Sequence, residues 1–147
     1  MRVAVLADTH DRLPTTLPSQ LAEADEIWHL GDVCSPAIIA KLRRLGPPLR
    51  VVRGNCDDCL DWPLALDFEL EGFRILLTHI PPRLAPKGVD LLFHGHTHVP
   101  RFERVGAALL LNPGCITRPN RGASASWAWL ELRRGEPVGW SYVAVAV

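Results

Sequence analysis

Short apolar runs closed by polar residues recur five times in this chain, and they constrain the fold more than any other feature. The runs are Arg2–Ala7, Glu26–Leu30, Leu49–Val52, Phe73–Leu77 and Val89–Phe93. They are followed by Asp8-Thr9-His10, Gly31-Asp32, Gly54-Asn55-Cys56-Asp57, Thr78-His79 and Gly95-His96-Thr97-His98. Apolar runs of this length, bounded by turn residues, read as strands buried on both faces. In open α/β sheets the ligand site lies outside the carboxyl ends of the strands. Five strand ends carrying Asp, Asn and His therefore point to one shared site.

The segments between these runs supply helices first and hairpins later. Leu17–Ala24 reads as a helix. Ser35 at N-cap and Pro36 at N1 open a second one through Arg44, stopped by Gly46-Pro47-Pro48. The first third is thus β-α-β-α-β, the order of a parallel sheet with crossover helices. Ala65–Leu70 and Phe73–Thr78 flank Glu71-Gly72 as a hairpin. Arg101–Val105 with Ala108–Leu111 across Gly106-Ala107, and Ser124–Arg133 with Pro137–Val147 across Arg134-Gly135-Glu136, read as two more. The expected class is α/β: a four-layer α-β-β-α sandwich, two mixed sheets flanked by helices, in a single domain of residues 1–147.

Composition excludes several function classes. Lys+Arg and Asp+Glu are both 16, so the formal net charge is zero. That argues against strong nucleic-acid binding, as does the lack of a basic, aromatic-rich stripe. No apolar run reaches the 18 residues of a membrane span, and MRVAVLADTH lacks a cleavable signal layout. A cytoplasmic location without membrane contact is the expectation. The four cysteines, Cys34, Cys56, Cys59 and Cys115, are not needed as staples at 147 residues. Cys56 and Cys59 have CxxC spacing, but no helix start follows and no second pair completes a zinc site. Trp127 with Trp129, and Trp140 with Tyr142, lie at i, i+2 on strands. They read first as core or sheet surface, and second as a self-association patch that would make a homo-oligomer.

Asp8, His10, Asp32, Asn55, His79, His96 and His98 make seven candidate ligands. One ion seldom takes seven side chains, whereas two ions sharing a carboxylate fit. Mixed imidazole and oxygen donors suit Mn, Fe, Co, Ni or Zn. Asp8 and His10 alternate by two, as do His96 and His98, so each pair would face one side of an extended segment. His29 and His94 sit inside apolar runs and read as structural residues or as partners that orient ligands.

Those blocks, with Leu111-Asn112-Pro113-Gly114 and Arg118-Pro119, resemble the calcineurin-like metallophosphoesterase superfamily from Met1 to about Pro119. Gly54-Asn55-Cys56-Asp57 and the short length lie nearest the small YfcE-type phosphodiesterases, and retromer's small subunit is similar in fold. The resemblance implies two divalent ions, Mn²⁺ in many members. Asp8, His10, Asp32 and His98 would hold one, and Asp32, Asn55, His79 and His96 the other. Asp32, Asn55 and His96 would also take catalytic parts, and a metal-bridging hydroxide would attack phosphorus in line. The substrate would be a small phosphoester or nucleotide. Arg12, Arg53, Cys56 and Arg118 are candidate substrate contacts, the arginines because a guanidinium grips phosphate oxygens bidentately.

Three departures modify that expectation. Many relatives carry His where Cys56 stands, and a thiol of pKa about 8.5 is a weak general acid at neutral pH. Ile80-Pro81-Pro82 follows His79 where the family usually has Gly. The stretch from His79 to His96 holds Pro81, Pro82, Pro86 and Gly88, so a helix found there in relatives would be shortened or lost. Two alternatives stand beside the phosphodiesterase: an interaction scaffold with a vestigial site, and a nuclease for short or cyclic nucleotides.

Overall fold

In the computed structural model, which describes residues 1–146, ten strands form two five-stranded sheets. The first has the order β10-β9-β1-β2-β3, built from β1 (Arg2–Leu6), β2 (Glu26–His29), β3 (Leu49–Val51), β9 (Ser126–Glu131) and β10 (Gly139–Ala144). The second has the order β4-β5-β6-β8-β7, from β4 (Ala65–Leu70), β5 (Phe73–Thr78), β6 (Leu91–Phe93), β7 (Arg101–Val105) and β8 (Ala108–Asn112). Both sheets are mixed. β1, β2 and β3 run parallel, with β9 antiparallel beside β1. β5, β6 and β8 run parallel, with β4 and β7 antiparallel at the edges.

Side-chain alternation explains why the parallel strands read as unbroken apolar runs. Val3, Val5, Trp28 and Leu30 face inward and meet Ile75, Leu77, Leu91, Phe93, Leu109 and Leu111 from the other sheet. Ala4, Leu6 and Ile27 face outward and are covered by α1 (Leu17–Leu21) and α2 (Pro36–Arg43). Trp28 fills the middle of the sandwich, edge-on to Phe68 and Phe93 with centroids 5.5 and 5.3 Å away. Such pairs add about 0.5–1.5 kcal/mol each beyond area burial.

Outside the second sheet, Leu76, Leu92 and Leu110 are covered by an irregular segment through Ala85 and Val89. The prolines and Gly88 of that segment cannot propagate a helix, so the fourth layer is a loop.

Element ends differ from the sequence reading for local reasons. α1 stops at Leu21, because the chain must turn for the Asp25 N–H to donate to the Arg2 carbonyl at 2.8 Å. Ser35 is an extended N-cap, but its hydroxyl caps no N–H. The β4–β5 turn holds Glu71 and Gly72 at φ 50° and 82°, the left-handed pair that a two-residue hairpin turn requires. The final hairpin is shorter than Ser124–Arg133 and Pro137–Val147; Val147 lies outside the described residues.

The aromatic i, i+2 pairs are largely spent on packing within the chain. Trp127 is buried against the helix-side core, and Arg2 lies 3.7 Å over the Trp129 ring. Trp140 packs on Phe93 at 5.8 Å, leaving Tyr142 exposed.

Candidate metal centre

The loops after β1, β2, β3, β5 and β6 meet at one edge of the sandwich. Backbone hydrogen bonds tie the first two together: Asp8, His10 and Asp11 N–H donate to Gly31, Asp32 and Val33 carbonyls, each at 3.0 Å. These pairings force a sharp backbone path. Asp8, His10, Asp32, His96 and His98 all have positive φ, between 43° and 70°. The i, i+2 ligand pairs are therefore not on extended segments, as their spacing suggested; they converge through left-handed residues. Such conformations cost roughly 1–2 kcal/mol each for a non-glycine residue. Their concentration here marks a site whose geometry is imposed by its surroundings.

One donor set is Asp8, His10, Asp32 and His98, with one ligand atom from each all within 4.8 Å of one another. Asp8 Oδ1 lies 3.4 Å from His98 Nε2 and 3.8 Å from His10 Nε2. His98 Nδ1–H donates to the Arg118 carbonyl at 2.7 Å, so in the neutral ring Nε2 presents a lone pair. His10 Nε2 stands 3.4 Å from that nitrogen. Asp8 Oδ1 is buried with no hydrogen-bond partner. A buried, orphaned carboxylate oxygen among imidazole nitrogens fits a divalent cation.

The second set forms around Asn55. Its Oδ1 is 2.9 Å from His79 Nε2 and 3.0 Å from His96 Nδ1. His79 Nδ1–H donates to the Leu30 carbonyl at 2.7 Å, which turns Nε2 toward Asn55 and toward Asp32 Oδ2 at 3.3 Å. This is the orientation a metal-ligating histidine needs. Ile80 in place of Gly does not displace His79. The structure thus brings all seven sequence-derived candidates together.

Asp32 stands between the sets. Its Oδ2 is 3.7 Å from His10 Nε2 and 3.3 Å from His79 Nε2. The Cys56 N–H donates to its Oδ1 at 2.9 Å. Burial pushes the Asp32 carboxyl up, but the hydrogen bonds from His79 and Cys56 outweigh it and hold it well below the usual range. Asp8 differs: burial raises it to about 6 against the pull of His79 and His98. Burial works to lower His79, yet the hydrogen bond to Asp32 and the Asp8 charge hold it above its ordinary value. His10 and His96 are lowered, chiefly by burial.

Several residues without a ligand role in the sequence reading position the ligands. Asp57 accepts N–H groups from Cys34 (2.7 Å), Gly54 (2.7 Å) and Asp32 (2.9 Å), clamping the loop that carries Asp32. Its place in Gly54-Asn55-Cys56-Asp57 was the available signal, an acid three residues past a glycine at a strand end. His29 is fully buried. Its Nδ1 accepts from Gly31 N–H and its Nε2 meets Thr9 Oγ1 at 3.0 Å, bridging the β1 and β2 loops. Asn112 holds the His96 loop by donating to the Gly95 carbonyl at 3.2 Å and Thr97 Oγ1 at 3.0 Å. His94 is buried beside it and accepts from Arg101 at 3.3 Å. Both inner histidines are thus positioning residues, with burial depressing them to about 3 and about 4. A Cβ on Gly54 would overlap the Asp32 carboxylate, and one on Gly31 would sit 2.8 Å from the Gly54 nitrogen.

The candidate substrate contacts lie around this centre. Arg118 is exposed, close enough to His10 for its charge to lower that imidazole. Arg53 is half-buried on the Asn55 side, and Arg12 is exposed beyond His10. Cys56 is exposed, its thiol raised by burial and by the Asp32 charge, so it stays protonated at neutral pH. All four cysteines are free. No helix among the described residues is long and apolar enough to cross a membrane.

Comparison with known proteins gives a consistent placement. Residues 1–135 match the calcineurin-like phosphoesterase superfamily domain. A probable metallophosphoesterase of Methanothermobacter thermautotrophicus is 34% identical over 81% of this chain and 79% of its own. Phosphodiesterase YfcE of Escherichia coli is 30% identical over 89% of this chain and 88% of its own. The structure of Vps29 complexed with zinc from Entamoeba histolytica shares the fold, with TM-score 0.78 at 23% identity over 98% of this chain and 99% of that one. From the family match and these identities, the chain belongs to the calcineurin-like phosphoesterase superfamily.

Proposed function

We propose that this chain is a dinuclear, metal-dependent phosphodiesterase carried by one domain of residues 1–147. The observation behind this reading is the position of Asp32. One carboxylate oxygen faces imidazoles from both donor sets, at 3.7 and 3.3 Å. A single ion cannot use both sets, whereas two ions sharing Asp32 use every candidate ligand. Asp8, His10, Asp32 and His98 would hold one ion, and Asp32, Asn55, His79 and His96 the other. Mn²⁺ is the first choice, with Fe, Co, Ni or Zn also suited to this donor chemistry.

When bound, such a pair supplies Lewis acidity toward phosphoryl oxygens and an activated water for in-line attack on phosphorus. The chain's own residues do the rest. Asp57, His29 and Asn112 fix the ligand loops before any ion arrives. Asn55 and His96 are exposed and form the mouth of the site, where substrate arrives. Arg12, Arg53 and Arg118 supply positive charge for a phosphate anion. Cys56 stands beside Asn55 as the available proton donor, and its raised pKa makes it a weak one. The reading therefore favours small phosphodiesters and nucleotides with good leaving groups.

The test is hydrolysis of a panel of phosphomonoesters, phosphodiesters and cyclic nucleotides under each divalent metal. Diester turnover that needs added metal, and that Asp32→Ala abolishes on every substrate, is expected. Retained turnover in Asp32→Ala would contradict the shared carboxylate. No hydrolysis under any metal would instead favour an interaction scaffold.

A further inference from the structure

A cleft of about 150 Å³ opens on the outer side of the second donor set, and Asn55 and His79 line it. Its other walls are Arg53, Gly54, Leu64, Thr78 and Ile80. Leu64 is 63% exposed and Ile80 53%, so two large apolar side chains stand in solvent beside the candidate ligands. Both are held in place. The Thr78 hydroxyl donates to the Ile80 carbonyl at 3.4 Å, and Pro81 restricts the Ile80 backbone to extended conformations. Opposite, the Arg53 N–H donates to the Pro63 carbonyl at 2.7 Å, fixing the segment that presents Leu64. The Arg53 guanidinium has no ion-pair or hydrogen-bond partner among the described residues.

We propose that Leu64, Ile80 and Arg53 form a specificity subsite for one ester substituent of the substrate, and that this substituent is apolar and ring-sized. The inference rests on the phosphoesterase reading, because it takes the phosphoryl group to sit at the Asn55–His79 side of the centre. From there an ester group directed outward enters the cleft. Its volume is sufficient for a single ring. The free guanidinium contributes positive charge next to the anionic phosphoryl end and a planar face on which a ring can stack. Leu64 and Ile80 would thus set substrate preference while standing outside the candidate ligand set.

Calorimetric titration of the Mn²⁺-loaded protein with phenylphosphonate and with methylphosphonate tests this. Each carries one phosphoryl group and one organic substituent. The wild type should bind phenylphosphonate about tenfold tighter, equivalent to about 1.4 kcal/mol. Ile80→Ser and Leu64→Ser should each cut that preference to about threefold or less, with methylphosphonate affinity, metal loading and melting temperature unchanged. The two residues lie on separate segments, so a folding defect in one variant leaves the other as the test. Equal binding of the two phosphonates by the wild type, or a preference that survives both substitutions, would overturn the subsite alone. If neither phosphonate binds, the phosphoesterase reading fails and the subsite falls with it.

Discussion

Replacing Asp8 by Asn should stabilise the metal-free protein while removing its capacity for one of the two ions. Asp8 is fully buried, and its Oδ1 has no hydrogen-bond partner. Burial raises its pKa from 3.8 to about 6. A carboxyl whose folded pKa lies above its unfolded one binds its proton more tightly in the folded state. Its contribution to stability is then complete below pH 3.8 and is lost as pH rises through 6. At pH 8 the ionised, metal-free carboxylate costs the fold about 3 kcal/mol. Asn carries no charge, has nearly the same shape, and keeps an oxygen for the His96 N–H, now 3.2 Å from Asp8 Oδ2. Its amide can donate toward His98 Nε2, which stands 3.4 Å from Oδ1. Urea unfolding in EDTA at pH 8 should show Asp8→Asn more stable than wild type by about 1–3 kcal/mol, and the advantage should vanish near pH 4. Added Mn²⁺ should reverse the order, because the wild type gains the binding energy of two ions and the variant that of one. A variant that is less stable than wild type in EDTA at pH 8 would refute the reasoning.

Three further expectations concern the shell around the ligands. Asp57→Ala leaves three clamped N–H groups without their acceptor; it should lose at least about 3 kcal/mol in urea unfolding, and a loss under 1 kcal/mol would contradict the clamp. His29 is held near 3 by burial against an ordinary 6.5, so the unfolded chain takes up a proton there as pH falls while the folded chain does not. Stability should decline between about pH 6.5 and 3, by about 5 kcal/mol in all from this group. His29→Gln should flatten that slope, and parallel pH profiles would exclude the role. Cys56→His should raise turnover of diesters with poor alkoxide leaving groups about tenfold or more, leaving nitrophenyl diesters nearly unchanged; equal effects on both would remove Cys56 from the leaving-group side.

The candidate ligands were legible in the sequence because each follows a short, largely apolar strand. Asp8, Asp32, Asn55, His79 and His96 interrupt runs whose other residues pack between sheets or under helices. Five such strand ends together are more than packing or turn formation requires. The backbone that aims them was not legible. Spacing by two suggested extended geometry for Asp8/His10 and His96/His98, but cross-loop bonds such as His10 N–H to Asp32 carbonyl impose positive φ instead. Those bonds join segments more than twenty residues apart, beyond the reach of local pattern. Asp57 and Asn112 were quoted only as parts of motifs, since an Asp or Asn beside glycine or proline reads as a turn residue. Their function depends on which N–H and carbonyl groups the fold brings to them. The prolines between His79 and His96 did report the missing helix, because proline's effect is local.

Metal stoichiometry tests the central claim most directly: two ions share Asp32. After loading with Mn²⁺ or Zn²⁺ and gel filtration, elemental analysis of the wild type should give two ions per chain. His79→Ala should keep one, since the set of Asp8, His10, Asp32 and His98 stays intact, and Asp32→Ala should lose both. One ion per chain in the wild type, or two retained by Asp32→Ala, would contradict the dinuclear account.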